Sequence, residues 1–260
     1  MNAAFLTFTC ARDADLVPLW AESIRRILPD ALLFCAVDHA DADMPLPKKC
    51  RRLVTGFDRR GNLNGIEAVA GILATAHSVA AATGLPVVKI DCDTVLTGSG
   101  WLTAFEDPQL DYLGFEGGHP LTATGICYAF GPLGPEKILR AISPWPWQQD
   151  GKFPEDQTIC ALAHLHANAW LRPWEKGRHV LAFLPHHFGE PSSLAACSAA
   201  VHCGQATTLS AYGSTLTRAH LVARQMRATL RALKRARSAH MPSSPPSAEI
   251  YSASRSGLGL

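Results

Sequence analysis

The spacing of apolar and polar positions changes several times along the chain, and each change marks an element. "AFLTFTC" is a short, nearly continuous apolar run and predicts a first strand. "DADLVPLWAESIRRILP" has Leu16, Leu19, Trp20, Ile24 and Ile27 on a helical period and predicts a helix. "ALLFCAVD" predicts a second strand ending in Asp38, and "CRRLVTGF" a shorter third one. "GNLNGIEAVAGILATAHSVAAATG" carries the clearest helix signal. Asn64 and Glu67 have capping-box spacing, Val69, Leu73 and Ala80 share a face, and Gly84 is placed to end the helix. "LPVVKID" is continuous and rich in β-branched residues, as central parallel strands are.

Strand and helix therefore alternate through the first hundred residues. That pattern predicts an α/β fold with a mostly parallel central sheet flanked by helices, Rossmann-like in its N-terminal half. Ligands of such sheets bind beyond the carboxyl ends of the strands. Asp38, Asp91 and Asp93 all fall at predicted strand ends. Further on the pattern is mixed. "TGICYAFG" predicts a strand, "PEDQTICALAHLHANA" opens a helix, and "RPWEKGRHVLAFLPHHFG" holds short strand-like pieces with turn signals. No internal repeat is visible. Residues 1–213 read as one unit. Residues 214–240 read as a basic amphipathic helix. Residues 241–260, rich in Ser, Pro and Gly, read as a disordered tail.

Composition narrows the class. With 260 residues, 47% of them hydrophobic, the chain can bury one sizeable core. No unbroken apolar run reaches the roughly 20 residues of a membrane-spanning helix. The start, "MNAAFLTFTCARDADL", has no basic leader and reads as a strand, not as a signal peptide. The eight cysteines have loose spacings without a CxxC, which argues for buried, reduced thiols in a cytosolic setting and against structural zinc. Net charge is +2 but uneven: residues 1–190 carry −5 and residues 191–260 carry +7. A mildly acidic body makes nucleic acid an unlikely partner for the fold as a whole.

The candidate chemistry starts at "VVKIDCDTVL", where an apolar strand runs into two carboxylates one residue apart. In an ideal strand Asp91 and Asp93 would point to the same side, and a turn at the strand end would let them converge. Two close carboxylates repel unless a proton or cation intervenes. Hard divalent ions such as Mg2+ or Mn2+ suit them, together with phosphate oxygens. The bland alternative is a loop with two solvated acids. "DRRGNLNG" places Arg59, Arg60 and Asn64 before the strongest helix, where a phosphate would meet free N–H groups and positive charge. It is not a P-loop.

This stretch resembles the D-x-D region of GT-A fold glycosyltransferases, which use nucleotide sugars as donors. "FLTFTCARDADLVPLWAESI" is similar to the family's nucleotide-binding start, "GKFPEDQTICALA" to its acidic segment near the acceptor, and "AVHCGQ" to its late histidine-bearing segment. The likeness covers roughly residues 5–205, and it implies a nucleotide-sugar half to about residue 100 and an acceptor half from about 101 to 213. It implies a bacterial-type transferase that moves a sugar from a nucleoside-diphosphate sugar to a carbohydrate or glycolipid hydroxyl. It implies Asp93, Asp91 and His202 as metal ligands, Asp91 reaching the metal through water or contacting the ribose instead. His186 and His187 are rivals for the third position. Ala11, Arg12, Asp13 and Asp38 would meet base and ribose. Asp156, with Glu155 beside it, would be the carboxylate that takes the acceptor's proton in an inverting reaction.

Other readings stay open. Glu155 and Asp156 open a predicted helix, where carboxylates are favourable without any catalysis. Glu116, Gly117, Gly118, His119, Thr124, Gly125, Tyr128, Trp145 and Trp147 are candidates for the acceptor side. A nucleotidyltransferase shares the α/β half and paired aspartates but should carry a glycine-rich loop after the first strand, and "TFTCARDADL" has none. A GT-A-like domain that only binds a glycan or a protein is the non-enzymatic alternative. The stripe Ala219, Val222, Met226, Leu230 and Leu233 either packs on the body or lies on an anionic membrane surface through residues 214–237. The latter would make the protein peripheral on the inner face of a membrane.

Overall fold

A computed structural model describes residues 2–56, 65–115, 125–142, 155–172, 180–182, 199–203 and 218–239. The chain opens with strand β1 (Ala4–Phe8), a 3-10 turn (Ala11–Leu16) and helix α1 (Val17–Ile27). Strands β2 (Leu32–Asp38) and β3 (Cys50–Thr55) precede helix α2 (Ile66–Thr83) and strand β4 (Val87–Ile90). Then come β5 (Thr94–Leu96), a 3-10 turn (Gly100–Glu106), β6 (Tyr112–Phe115), β7 (Cys127–Phe130) and α3 (Gly134–Ile142). The described chain ends with α4 (Glu155–His166), β8 (Ala169–Arg172), β9 (Val180–Ala182), β10 (Ala200–His202) and α5 (Arg218–Ala239).

Seven strands form the central sheet in the order β3-β2-β1-β4-β7-β6-β8. Only β7 runs against its neighbours; β1–β4, β1–β2, β2–β3 and β6–β8 are parallel pairs. The molecule is thus a single α/β domain with a mostly parallel sheet, as the alternating pattern predicts. The order runs outward from β1 to β3 on one side and turns back to β4 on the other. The crevice between β1 and β4 is therefore the topological switch point, where α/β sheets of this kind bind ligands. A small second sheet, β5-β10-β9, stands beside the end of β4.

Both faces of the large sheet are covered, which explains the continuous apolar strands. On one face Phe5, Leu33, Val88 and Ile90 meet Trp20 and Ile24 of α1 and Val222, Met226 and Leu230 of α5. On the other, Leu6, Phe34 and Val87 meet Val69, Ile72 and Leu73 of α2, Ile138 of α3 and Ile159 of α4. The apolar stripe of the C-terminal helix is therefore packed on the body. Arg224, Arg227, Arg231, Lys234 and Arg235 remain exposed.

The predicted elements are found with four corrections. The helix expected over Asp13–Pro29 divides, because its first turn is 3-10 and α1 proper starts with Pro18 at its N-terminus. Helix α2 starts after Gly65, whose φ of 87° closes the entry without a side-chain cap. Glu67 is then the second helical residue and not the third, so the capping box with Asn64 is not the N-cap; Asn64 lies outside the described residues. Gly84 ends this helix at φ 66°, as its placement predicts. Helix α3 goes unmarked in the sequence pattern because the Gly and Pro residues of "GPLGPE" read as a turn. Finally, α2 is by length and composition long and apolar enough to cross a membrane. Glu67, His77 and Ser78 interrupt its apolar run, so run length alone hides it. Its Val69, Ile72, Leu73 and Ala76 are buried against the sheet.

Among the described residues Cys10, Cys35, Cys50, Cys92, Cys127, Cys160 and Cys203 are in no disulfide, and all but the partly buried Cys50 are buried. The predicted tail at 241–260 lies outside the described residues.

The turn into α3 is held by Asp111 at the start of β6. Its backbone carbonyl accepts from Gly131 N–H at 3.0 Å, and its carboxylate accepts from Lys137 Nζ and Asn168 N–H. A Cβ on Gly134 would stand 1.9 Å from that same carbonyl oxygen. Gly134→Ala is expected to destabilise the fold by about 3 kcal/mol, since backbone must move to admit it, and urea denaturation followed by circular dichroism measures the loss.

Candidate metal centre and the carboxylates beside it

Strand β4 alternates cleanly. Val88, Ile90 and Cys92 enter the α1/α5 core, whereas Val87 enters the α2/α4 core. Lys89 follows Val87 onto the α2/α4 side and is only 1% exposed. A buried ammonium needs partners, and Lys89 has them. Its Nζ donates to the Gly125 carbonyl at 2.6 Å and to Asp91 Oδ1 at 2.7 Å, and lies 3.5 Å from Glu155 Oε1. The ring of Tyr128 lies 5.2 Å from the same nitrogen. One cation thus ties the end of β4 to the start of α4.

Beyond β4 the chain makes a tight turn closed by Thr94 N–H donating to the Asp91 carbonyl at 3.0 Å. It then continues as β5. Strand β10 pairs antiparallel with β5, setting His202 opposite Thr94, and Cys203 N–H donates to the Asp93 carbonyl at 2.9 Å. These backbone bonds bring a residue 109 positions downstream onto the turn. His202 Nε2 stands 3.3 Å from Asp93 Oδ1. Asp91, Asp93 and His202 each offer a ligand atom, and these atoms lie within 4.8 Å of one another. The two aspartates converge at the turn as their spacing predicts, and His202 joins them. The rivals His186 and His187 lie outside the described residues.

This is a Rossmann-like fold with a potential metal-coordinating site at its switch point. Two carboxylates and an imidazole are a fitting donor set for a divalent ion such as Mn2+ or Mg2+, with oxygen donors in the majority. The surroundings favour such an ion: Asp93 is 7% exposed, and a buried carboxylate beside another gains from a cation between them.

Glu155 and Asp156 form the first turn of α4, at the position the sequence predicts. Burial pushes both carboxyls up from their ordinary ranges. For Glu155, Lys89 opposes that push and the Asp91 charge adds to it. For Asp156, an N–H bond from Gln157 at 2.8 Å and the Lys89 charge oppose it. Gly125 packs directly on Asp156: a Cβ there would fall 2.6 Å from Oδ2.

At the ends of β1 and β2 lies a second polar group. Asp38 Oδ1 accepts from Asp41 N–H at 3.0 Å, and Asp41 Oδ2 accepts from Ala11 N–H at 3.1 Å. Asp13 is buried, with Arg12 3.7 Å from its carboxylate; Arg12 itself is exposed. Ala11, Asp13 and Asp38 therefore lie at the carboxyl ends of β1 and β2, on the same edge of the sheet as the acidic–histidine cluster, with Asp13 and Asp38 buried there. Arg59, Arg60 and Asn64 lie outside the described residues, as do Glu116, Gly117, Gly118, His119, Thr124, Trp145 and Trp147. Tyr128 does not line a sugar site. It is fully buried beneath Lys89, because β7 turns it into the α2/α4 core.

Sequence reasoning missed Lys89, although a lysine inside a buried strand already calls for an ionic partner. It also missed Asp41, for which a short loop gives no signal. Compared with known proteins, the chain matches no family model and no curated protein. The geometry therefore carries the functional argument.

Two outcomes follow. Lys89→Met leaves Asp91 and Glu155 facing each other without a cation, and is expected to cost about 3–5 kcal/mol in urea denaturation. The raised carboxyls of Glu155 and Asp156 bind protons more tightly folded than unfolded. Their contribution to stability is present below the ordinary carboxylate pKa and lost as pH rises through the raised folded values. Glu155→Gln removes its share, so the variant should gain stability relative to wild type as pH is raised from about 4 to about 7. Parallel unfolding curves across that range check the sign.

Proposed function

We propose that this protein is a metal-dependent glycosyltransferase, moving a sugar from a nucleoside-diphosphate sugar to a hydroxyl of a carbohydrate or glycolipid acceptor. The observation that carries the reading is the convergence of Asp91, Asp93 and His202 at the switch point of a Rossmann-like sheet. A buried lysine links this cluster to a second carboxylate pair. Asp91, Asp93 and His202 would hold Mn2+ or Mg2+. The bound ion would offset charge on the departing diphosphate.

The chain's own groups divide the remaining work. Ala11, Arg12, Asp13 and Asp38, at the carboxyl ends of β1 and β2, would meet the nucleoside. Asp156 is the preferred acceptor-side base, with Glu155 beside it. Its raised carboxyl is a better proton acceptor than an ordinary aspartate, as general base catalysis near neutral pH requires. Gly125 and the backbone N–H of Gln157 hold that carboxylate in place. Direct proton removal by Asp156 corresponds to an inverting course. We place the reaction in bacterial glycan synthesis at the cytoplasmic face of a membrane, with the exposed basic side of α5 as the peripheral contact.

The test is a thermal-shift panel of nucleoside diphosphates and nucleotide sugars, with and without Mn2+, on wild type and Asp93→Ala. One base class should raise the wild-type midpoint by roughly 5 °C at saturating ligand, only with metal and not in the variant. The responding sugars then enter a turnover assay, in which Asp156→Asn should lower kcat by about 100-fold or more. A folded wild type indifferent to every nucleotide would overturn the assignment.

A further inference from the structure

A cavity of about 460 Å³ opens between α1, β5 and α5, apart from the acidic–histidine cluster. Leu96, which forms part of its wall, is at the far end of β5 from the Asp93 turn, and none of Asp91, Asp93 and His202 lines the cavity. Ile27, Leu96, Leu230 and Leu233 supply apolar walls. Ser23 also faces the cavity, but its hydroxyl is engaged: it donates to the Trp20 carbonyl at 2.8 Å and accepts from Leu96 N–H at 3.1 Å. Arg26, Lys234 and Ser238 complete the lining, and the Ser238 hydroxyl is engaged too, donating to the Lys234 carbonyl at 3.0 Å, so neither neutral hydroxyl is spare for a sugar. A hydrocarbon chain would find the apolar contact it requires, in a volume ordinary for a small-molecule site.

The charge at the border has one sign on α5. That helix carries seven Lys and Arg and no Asp or Glu. Arg227, Arg231 and Lys234 are spaced four and three residues apart, so they share one helix face. This face adjoins the one that turns Leu230 and Leu233 into the cavity, and all three cations are exposed. Across the cavity Arg26 donates to the Leu230 carbonyl at 3.3 Å, pinning α1 to α5, and its charge is matched by Glu22. Among the described residues no carboxylate pairs with these α5 cations, and Lys234 itself lines the cavity.

An apolar slot bordered by a row of cations is complementary to one chemical class. We infer that the cavity binds a single-chain anionic amphiphile with a phosphate head: the hydrocarbon chain lies between α1 and α5, and the phosphate is held by Lys234, Arg231 and Arg227. The site does not depend on the proposed transfer reaction. Its consequence is an anchoring contact deeper than surface charge alone, because the bound chain adds apolar burial to the electrostatic attraction of a basic helix.

Isothermal titration of the full chain with dodecyl phosphate, below its micelle-forming concentration, tests the site. Binding at one molecule per chain is expected, with none to inorganic phosphate under the same conditions. Leu233→Trp, which fills the slot from a partly exposed position, should weaken binding about tenfold or more. Lys234→Glu, at an exposed position that folding tolerates, should weaken it by a similar factor and flatten its salt dependence. Circular dichroism confirms the fold of each variant. The Mn2+-dependent nucleotide response should be the same in both variants as in wild type, so failure here and failure of the transfer reading are told apart. The inference is overturned if folded wild type ignores dodecyl phosphate, if inorganic phosphate binds as tightly, or if both variants bind like wild type.

Discussion

The ammonium of Lys89 is the interaction on which the candidate site depends. A lysine in the middle of a central strand, 1% exposed, is costly to bury unless its charge is matched and its donors are used. The match comes from two different regions: Asp91, just beyond the end of the same strand, and Glu155, at the start of α4. The Gly125 carbonyl takes a further donor. Satisfying one cation therefore joins the end of β4, the entrance of β7 and the first turn of α4 into one piece. Of the carboxylates in the proposed chemistry, Asp91 on the donor side and Glu155, next to the proposed base Asp156, are the two that neutralise this charge.

The same arrangement explains why the acids around the crevice differ in character. Asp91 sits directly on the ammonium and remains partly exposed at its outer edge. Glu155 and Asp156 are more distant from Lys89, and desolvation prevails over its attraction. Asp93 turns the other way, toward His202, across the small sheet. A single tight turn thus separates one aspartate bound to a fixed protein cation from another aimed at a histidine, and leaves between them a position suited to a mobile divalent ion.

The two faces of the sheet divide the labour. The α2/α3/α4 face carries Lys89 and the acidic helix start. The α1/α5 face carries an apolar core that extends through the C-terminal helix. Packing α5 on that face consumes its apolar stripe and leaves its cations outward. A basic helix is thereby retained as an electrostatic surface while the slot beside α1 stays apolar. Strand β5 belongs to both halves: one end follows the Asp93 turn, and the other contributes Leu96 to the cavity.

Much was legible in the sequence because it is encoded locally. Continuous β-branched runs announce strands covered on both faces, the 3.6-residue period of Trp20 and Ile24 announces α1, and Gly84 announces the end of α2. Each reflects backbone preference and burial within a few residues. Asp91 and Asp93 were visible for the same reason, as was the acidic start of α4. What the sequence by itself determined is an alternating α/β chain with carboxylates at its strand ends. Only the tertiary structure decided which distant groups meet those carboxylates. The β5–β10 pairing brings His202 to Asp93, Lys89 binds Asp91 to Glu155, and β7 buries Tyr128 away from the crevice. The physical reason is that strand partner and register are chosen by burial over the whole sheet and by the need to match buried charge, and neither is written in the spacing of neighbouring residues.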